Sequence, residues 1–167
     1  MSAMVVFVFG MVVVVNLLLT VGLISRVRAL QELVTGGAKA SLPPVGTRLT
    51  KFSILANDGT FVSDASFGAG TTLVGFFTPD CPWCKKVLEA LREAPPQYPV
   101  VSFVMGSGDE PEPRALAESL VKIGRVAFAT SGDAVHAAFR PPAFPSLYRV
   151  EVGSFAAVGH ALSDVVS

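Results

Sequence analysis

The tetrad Cys81-Pro-Trp-Cys84 constrains the fold of this chain more than any other feature, and it contains the only two cysteines. It follows an apolar run, residues 72–78 (TLVGFFT), and precedes a helical pattern, residues 85–92 (KKVLEALR). Two intervening residues let the sulfurs meet across one helical turn, and a helix N-terminus favours a thiolate on the first sulfur. A strand followed by Cys-x-x-Cys at a helix start is therefore typical of a thiol–disulfide redox site.

Length, charge and cysteine content bound the remaining possibilities. The chain has 167 residues and no net charge, a length that fits one compact domain with an appendage. The balanced charge offers no basic surface for nucleic acid, so we expect no nucleic-acid partner. Two cysteines in one motif also exclude a scaffold held by several disulfides.

The N-terminal residues 3–24 are almost wholly apolar and carry no charge. At about 1.5 Å per residue a helix of this length spans roughly 30 Å, the thickness of a bilayer core. A cleaved signal peptide is the alternative, but the apolar region is too long and no Lys or Arg precedes it. The segment predicts a single transmembrane helix. Arg26 and Arg28 follow it, and the positive-inside rule then places the rest of the chain in the cytoplasm.

Apolar patterning and breaker residues divide the chain into three parts. We predict a transmembrane anchor and juxtamembrane helix in residues 1–35, a linker in 36–46 and a redox domain in 47–167. Strands that alternate with helices, followed by a terminal hairpin, favour an α/β sandwich. The predicted strands are 49–56, 60–63, 72–77, 99–105, 126–129, 146–151 and 155–158, and the predicted helices are 82–93, 111–123, 133–139 and 160–166.

With the strand, the tetrad, the helix and the later Phe144-Pro145 in place, the chain resembles a known family. It is similar to the membrane-anchored thioredoxin-like thiol–disulfide proteins of the TlpA/ResA type, and its apolar span is also similar to that of the methylamine-dehydrogenase accessory proteins of that group. The resemblance implies a thioredoxin-like three-layer sandwich with a central mixed sheet, preceded by one transmembrane helix. It also implies a single-pass membrane protein whose redox domain is extracytoplasmic, against the indication of the flanking arginines.

The resemblance and the motif together predict roles for the residues of the tetrad. Cys81, at the helix start, is expected to be the attacking thiol, and Cys84 is expected to resolve the mixed disulfide. Pro82 suits the first helical position, where its missing N–H costs nothing. For Trp83 two interpretations stay open, a docking surface for a partner and simple packing.

Three further positions are interpreted through the resemblance. Pro145 matches the cis-proline that faces the active site, so we expect a cis Phe144–Pro145 bond and pairing of the Phe144 backbone with a substrate strand. Many relatives have Thr where this chain has Phe144. Gly75 stands at the strand position where soluble thioredoxins have a buried Asp that assists proton transfer. Asp80 is a possible substitute, but no general base is assigned.

No metal or cofactor is expected. A zinc site needs two ligands besides the cysteines, and only His136 and His160 remain, without the paired spacing of such sites. We interpret both histidines as structural or surface residues.

The predicted function is that of an enzyme, a membrane-tethered thiol–disulfide oxidoreductase. Its expected partners are client proteins with cysteines or disulfides and a membrane or soluble redox partner. A peroxiredoxin-like peroxidase is one alternative; Thr78 is correctly placed before Cys81 for its Pro-x-x-x-Thr-x-x-Cys motif, but Val74 stands where the proline belongs. A non-enzymatic assembly or copper module, with copper(I) bound by both thiolates, is the other.

Overall fold

The computed structural model describes residues 41–166 together with Phe7, Met11 and Asn16. The segment predicted as a membrane anchor therefore lies, apart from those three residues, outside the described part of the chain. No helix of the described residues has both the length and the apolar character needed to cross a bilayer. Ser41–Ser167 forms one compact unit, and the boundaries expected for anchor, linker and redox domain stay predictions.

A short antiparallel hairpin opens the described unit, with β1 at Ser53–Leu55 and β2 at Phe61–Ser63. Asp58 shapes its turn, because Oδ1 accepts hydrogen bonds from the N–H and the hydroxyl of Thr60, at 2.9 and 2.6 Å. The predicted strand 49–56 is longer than β1, since the Leu49 N–H donates instead to the Gly153 carbonyl.

The main sheet has five strands in the order β5-β4-β3-β6-β7. Parallel pairs join β3 to β4 and β4 to β5, and antiparallel pairs join β3 to β6 and β6 to β7, so the sheet is mixed as predicted. The apolar run of the sequence forms β3 at the centre, where a strand is buried on both faces. The strands are β3 Thr71–Phe77, β4 Val100–Met105, β5 Arg125–Ala129, β6 Ser146–Glu151 and β7 Ser154–Gly159.

Within residues 41–166, four α-helices pack on the two faces of this sheet. They are α1 Pro82–Glu93, α2 Pro111–Leu120, α3 Ala134–Phe139 and α4 Ser163–Val166; a 3-10 helix, Asp64–Phe67, follows β2. Buried residues of α1, α2 and α4 belong to one hydrophobic cluster and those of α3 to the other, which gives the three predicted layers. Helix α4 is shorter than the helix predicted at 160–166, because the N–H groups of His160 and Ala161 donate to Asp164 Oδ2 in a turn.

The two faces of the sheet differ in composition. We call one the aromatic face; its buried rings are Phe52, Phe67, Phe76, Phe103, Phe139, Tyr148 and Phe155. We call the other the thiol face; its buried residues are Leu73, Phe77, Cys81, Cys84, Val87, Leu88, Leu91, Val100, Val104, Ala117, Leu120, Val126, Leu147 and Val165. Successive side chains of a strand point to opposite faces, so Phe76 and Phe77 belong to different faces.

Candidate active site

The start of α1 holds the two cysteines. Cys81 is the N-cap, Pro82 is the first helical residue, and the Cys84 N–H donates to Cys81 Sγ at 3.1 Å. The first N–H groups of a helix have no partner inside it, and here the sulfur takes the place of the usual oxygen cap. The positive end of the helix dipole is therefore directed at Cys81 Sγ.

The two thiols differ in exposure. Cys81 is 8% exposed and Cys84 is 1% exposed, which is the order expected for an attacking and a resolving thiol. Burial, together with the neighbouring Cys81 thiol, raises the pKa of Cys84 to about 12, although the backbone of Thr78 acts in the opposite direction. At neutral pH Cys84 is therefore a protonated thiol.

The loop at residues 140–145, which we call the cis-proline loop, lies against Cys81 Sγ. The Phe144–Pro145 peptide bond is cis, in agreement with the prediction. Cys81 Sγ donates a hydrogen bond to the Phe144 carbonyl oxygen at 3.3 Å. On the other side of the cis bond, Ser146 Oγ donates to the Ala143 carbonyl at 2.6 Å and so ties the loop together. The half-buried Phe144 is thus placed beside Cys81 Sγ.

Trp83, between the cysteines, projects into solvent. Trp83 is 64% exposed, so packing in a hydrophobic core does not explain a tryptophan at this position. Lys86 Nζ lies 4.3 Å from the centre of the indole ring, a cation–π contact that orients the ring on the helix surface. The docking role remains a prediction.

No carboxylate is buried among residues 41–166; the buried polar side chains there are Thr72, Ser102 and Ser146. A Cβ atom at Gly75 would lie 2.6 Å from Phe77 Cζ and 3.3 Å from Leu147 Cδ2. The Phe77 ring therefore fills the space where an acidic side chain would begin. Asp80 is exposed to solvent rather than enclosed with the thiols. The described part of the chain thus has no buried acid to receive the proton of Cys84.

His160 is a residue of the site that the sequence interpretation placed only among structural or surface positions. Its Nδ1 lies 2.6 Å from the Pro145 carbonyl oxygen, on the cis-proline loop. The predicted terminal hairpin could have indicated this contact, because pairing 146–151 with 155–158 brings residue 160 close to residue 145. His136 lies instead on α3, a helix whose buried residues pack on the aromatic face.

The described residues include no group of three or more His, Cys, Asp or Glu side chains arranged to hold a metal ion. The site as described consists of two thiols, a helix N-terminus and a cis-proline loop.

Solved structures share this architecture. The thioredoxin domain of a thiol–disulfide oxidoreductase from Bacteroides vulgatus matches with a TM-score of 0.60 and 18% identity, over 74% of this chain and 94% of that chain. A thio-disulfide isomerase from Thermus thermophilus matches with a TM-score of 0.55 and 19% identity, over 71% of this chain and 87% of that chain. A secreted disulfide oxidoreductase from Mycobacterium tuberculosis matches with a TM-score of 0.51 and 17% identity, over 70% and 87%.

No protein-family model and no curated protein matches the sequence. The structural likenesses, all at low identity, show the fold. The chain has a mixed α/β thioredoxin-like fold with a central mixed sheet, which confirms that part of the sequence-based prediction.

Proposed function

We propose that this chain is a thiol–disulfide oxidoreductase that exchanges disulfides with client proteins through Cys81 and Cys84. One observation carries the proposal: Cys81 Sγ lies between the Cys84 N–H, at 3.1 Å, and the Phe144 carbonyl, at 3.3 Å. Attacking sulfur, resolving residue and cis-proline loop therefore meet at one point. The names of the structural neighbours, among them an oxidoreductase and an isomerase of thiols and disulfides, support the same activity.

The exchange proceeds in two substitutions at sulfur. The Cys81 thiolate attacks one sulfur of a client disulfide, which forms a mixed disulfide and releases the first client thiolate to take up a proton. Cys84 loses its proton and attacks Cys81 Sγ, which releases the second client thiol. The client gains two electrons and two protons, and a Cys81–Cys84 disulfide remains. In the reverse direction the same steps oxidise a client.

The environment of Cys84 sets the pace of the second substitution. Burial keeps the pKa of Cys84 near 12, and no carboxylate is buried among residues 41–166 to accept its proton. Release of the client should therefore be slow at neutral pH and should speed up as the pH rises.

The client is expected to lie along the loop as an extended strand. The backbone of Phe144 is the proposed pairing edge, and the exposed indole of Trp83 is the proposed docking surface beside the thiols. A strand bound there would present a client sulfur to Cys81 Sγ, which is already within hydrogen-bonding distance of the Phe144 carbonyl.

We further propose that residues 1–35 tether this domain to a membrane, with the domain outside the cytoplasm. The uncharged apolar segment 3–24 supports the tether, and the secreted disulfide oxidoreductase of similar fold supports the location. Arg26 and Arg28 favour the opposite side. A narrower assignment to the methylamine-dehydrogenase accessory branch of the TlpA/ResA-type group rests on the apolar span alone.

Topology can be tested in cells with a Lys39→Cys reporter in a chain whose Cys81 and Cys84 are both replaced by serine. Labelling of intact cells by a membrane-impermeant maleimide is the expected result. Labelling only after lysis would place the domain in the cytoplasm.

The activity is tested with the purified full-length chain and a protein client that contains a disulfide. Cys84→Ser should accumulate a mixed disulfide with the client, visible on a non-reducing gel, because the attacking thiol remains and the resolving thiol is gone. Cys81→Ser should accumulate none. Rapid consumption of hydrogen peroxide that depends on Cys81 would replace this proposal with a peroxidase, and stoichiometric copper(I) binding without exchange would replace it with a copper module.

A further inference from the structure

The cis-proline loop is held from two sides by side chains far from it in sequence. Cys81 Sγ donates to the Phe144 carbonyl at 3.3 Å, and the His160 ring contacts the next carbonyl, that of Pro145, at 2.6 Å. The carbonyl of the cis peptide bond and the carbonyl that follows it thus each contact a side chain. The first partner is the reactive thiol, and the second is a histidine that the exchange chemistry does not use.

The partner of His160 determines its tautomer. A carbonyl oxygen can only accept a hydrogen bond, so the contact requires a proton on Nδ1 of the ring. The distance of 2.6 Å between Nδ1 and the Pro145 oxygen is a hydrogen-bonding contact, slightly shorter than the usual N–H···O range of about 2.7–3.2 Å. His160 therefore acts on the loop as a donor.

The backbone around His160 is shaped so that the side chain can make this bond. The ladder between β6 and β7 ends at the pair Leu147 and Gly159. One residue further, the His160 N–H donates to Asp164 Oδ2 at 3.1 Å instead of continuing the ladder. A Cβ atom at Gly159 would overlap the Asp164 side chain, so glycine is needed for that approach. The ring of His160 then bridges the opened end of the sheet to Pro145.

We propose that His160 is a positioning residue for client binding: its Nδ1–H holds the Pro145 carbonyl and fixes the orientation of the loop along which a disulfide-bearing peptide strand binds. The inference rests on the proposed exchange function and adds a determinant of substrate binding to it. Because the ring acts through the loop, its loss should weaken the binding of an extended peptide more than the intrinsic reactivity of Cys81.

The test compares two substrates of the purified full-length chain. One is a synthetic peptide with an internal disulfide, which can lie along the loop, and the other is a small aromatic disulfide reagent, which reports the thiol alone. For His160→Leu we expect KM for the peptide to rise about threefold to tenfold, the effect of one lost hydrogen bond. We expect kcat and the rate with the small reagent to stay within about twofold of the unmodified protein.

Two further variants separate positioning from folding. His160→Asn places an amide N–H close to the position of Nδ1 and should restore most of the KM that His160→Leu loses. His136→Leu, which alters the other histidine on α3, should leave both substrates unaffected. Equal defects in the Asn and Leu variants, or an unchanged peptide KM in His160→Leu, would overturn the proposal. A wild-type chain inactive towards both substrates would instead overturn the exchange function itself, and the positioning role with it.

Discussion

The two faces of the central sheet are packed with different kinds of side chain. On the aromatic face the Phe139 ring contacts six other rings, with centroids 5.2–6.1 Å apart. Among the described residues, the buried side chains of the thiol face are aliphatic except for the two cysteines and Phe77. The aromatic face is thus a cluster of packed rings, and the thiol face is a mainly aliphatic layer that packs against α1.

The difference shows how one strand serves both stability and chemistry. Phe76 and Phe77 are neighbours on β3, and both are buried, but they point to opposite faces. Phe76 packs among rings, whereas Phe77 lies over Gly75 in the layer that contains Cys84. The aromatic face is a cluster of packed rings, and burial on the thiol face keeps the Cys84 thiol protonated at neutral pH.

The largest effect is expected from truncating these two neighbours. Phe76→Ala should lower the free energy of unfolding by about 3–5 kcal/mol. The loss of unfolding free energy in Phe77→Ala should be about 1–3 kcal/mol smaller than in Phe76→Ala. The reason is that Phe76→Ala also removes ring contacts with Phe103, Phe139 and Tyr148. Only Phe77→Ala should bring the pKa of Cys84 down, since it opens the thiol face. Urea unfolding and thiol titration measure both quantities, and equal losses of stability would contradict the distinction between the faces.

The raised pKa of Cys84 predicts a dependence of stability on pH. An unfolded thiol has a pKa near 9.0, and the native value is about 12. The native state holds the proton more tightly, so its stabilisation is complete below pH 9 and is lost as the pH rises towards 12. The slope approaches about 1.4 kcal/mol per pH unit for this one group.

Urea unfolding of the reduced protein between pH 8 and pH 11 measures this loss. Burial also raises the pKa of Tyr148, which adds a loss of the same sign. The contribution of Cys84 is therefore the difference between the wild type and Cys84→Val, a variant without the ionisable thiol. Parallel plots of unfolding free energy against pH for the two proteins would show that the environment of Cys84 does not stabilise its protonated form.

A smaller effect is expected at the contact between Gly75 and Phe77. Gly75→Ala places a methyl group against the Phe77 ring and should cost about 1–3 kcal/mol by overpacking. Phe77→Leu in the same chain should recover part of that loss. Strict additivity of the two substitutions in urea unfolding would mean that the side chains do not compete for the same space.

The smallest effect on stability is expected at the exposed Trp83. Trp83→Ala should change the free energy of unfolding by less than about 0.5 kcal/mol, because the residue is 64% exposed. The KM for a disulfide-bearing peptide should rise several-fold. Phe61→Ala is the matched control: Phe61 is 68% exposed but lies on β2. Equal effects of both variants on KM would remove Trp83 from the docking surface.

Most of the secondary structure could be predicted because its causes are local. The helix predicted at residues 82–93 and the strand predicted at 146–151 agree with α1 and β6 to the residue. One error has a distant cause, since the Leu49 N–H pairs with the β6–β7 turn at Gly153. Another has a short-range cause, since the Asp164 carboxylate accepts from the His160 N–H and turns the chain there. Neither partner is visible in the local pattern of apolar residues.

The amino-acid sequence alone is sufficient to identify the Cys-Pro-Trp-Cys tetrad, its position between a buried strand and a helix, and the glycine in place of an acid at residue 75. These follow from residue identity and from periodicity over a few neighbouring residues. Three contacts are visible only in the folded chain: the Phe77 ring lies over Gly75, Cys81 contacts the Phe144 carbonyl, and His160 contacts the Pro145 carbonyl. Those contacts depend on strand register and on packing between residues far apart in the chain, which short-range patterns do not specify.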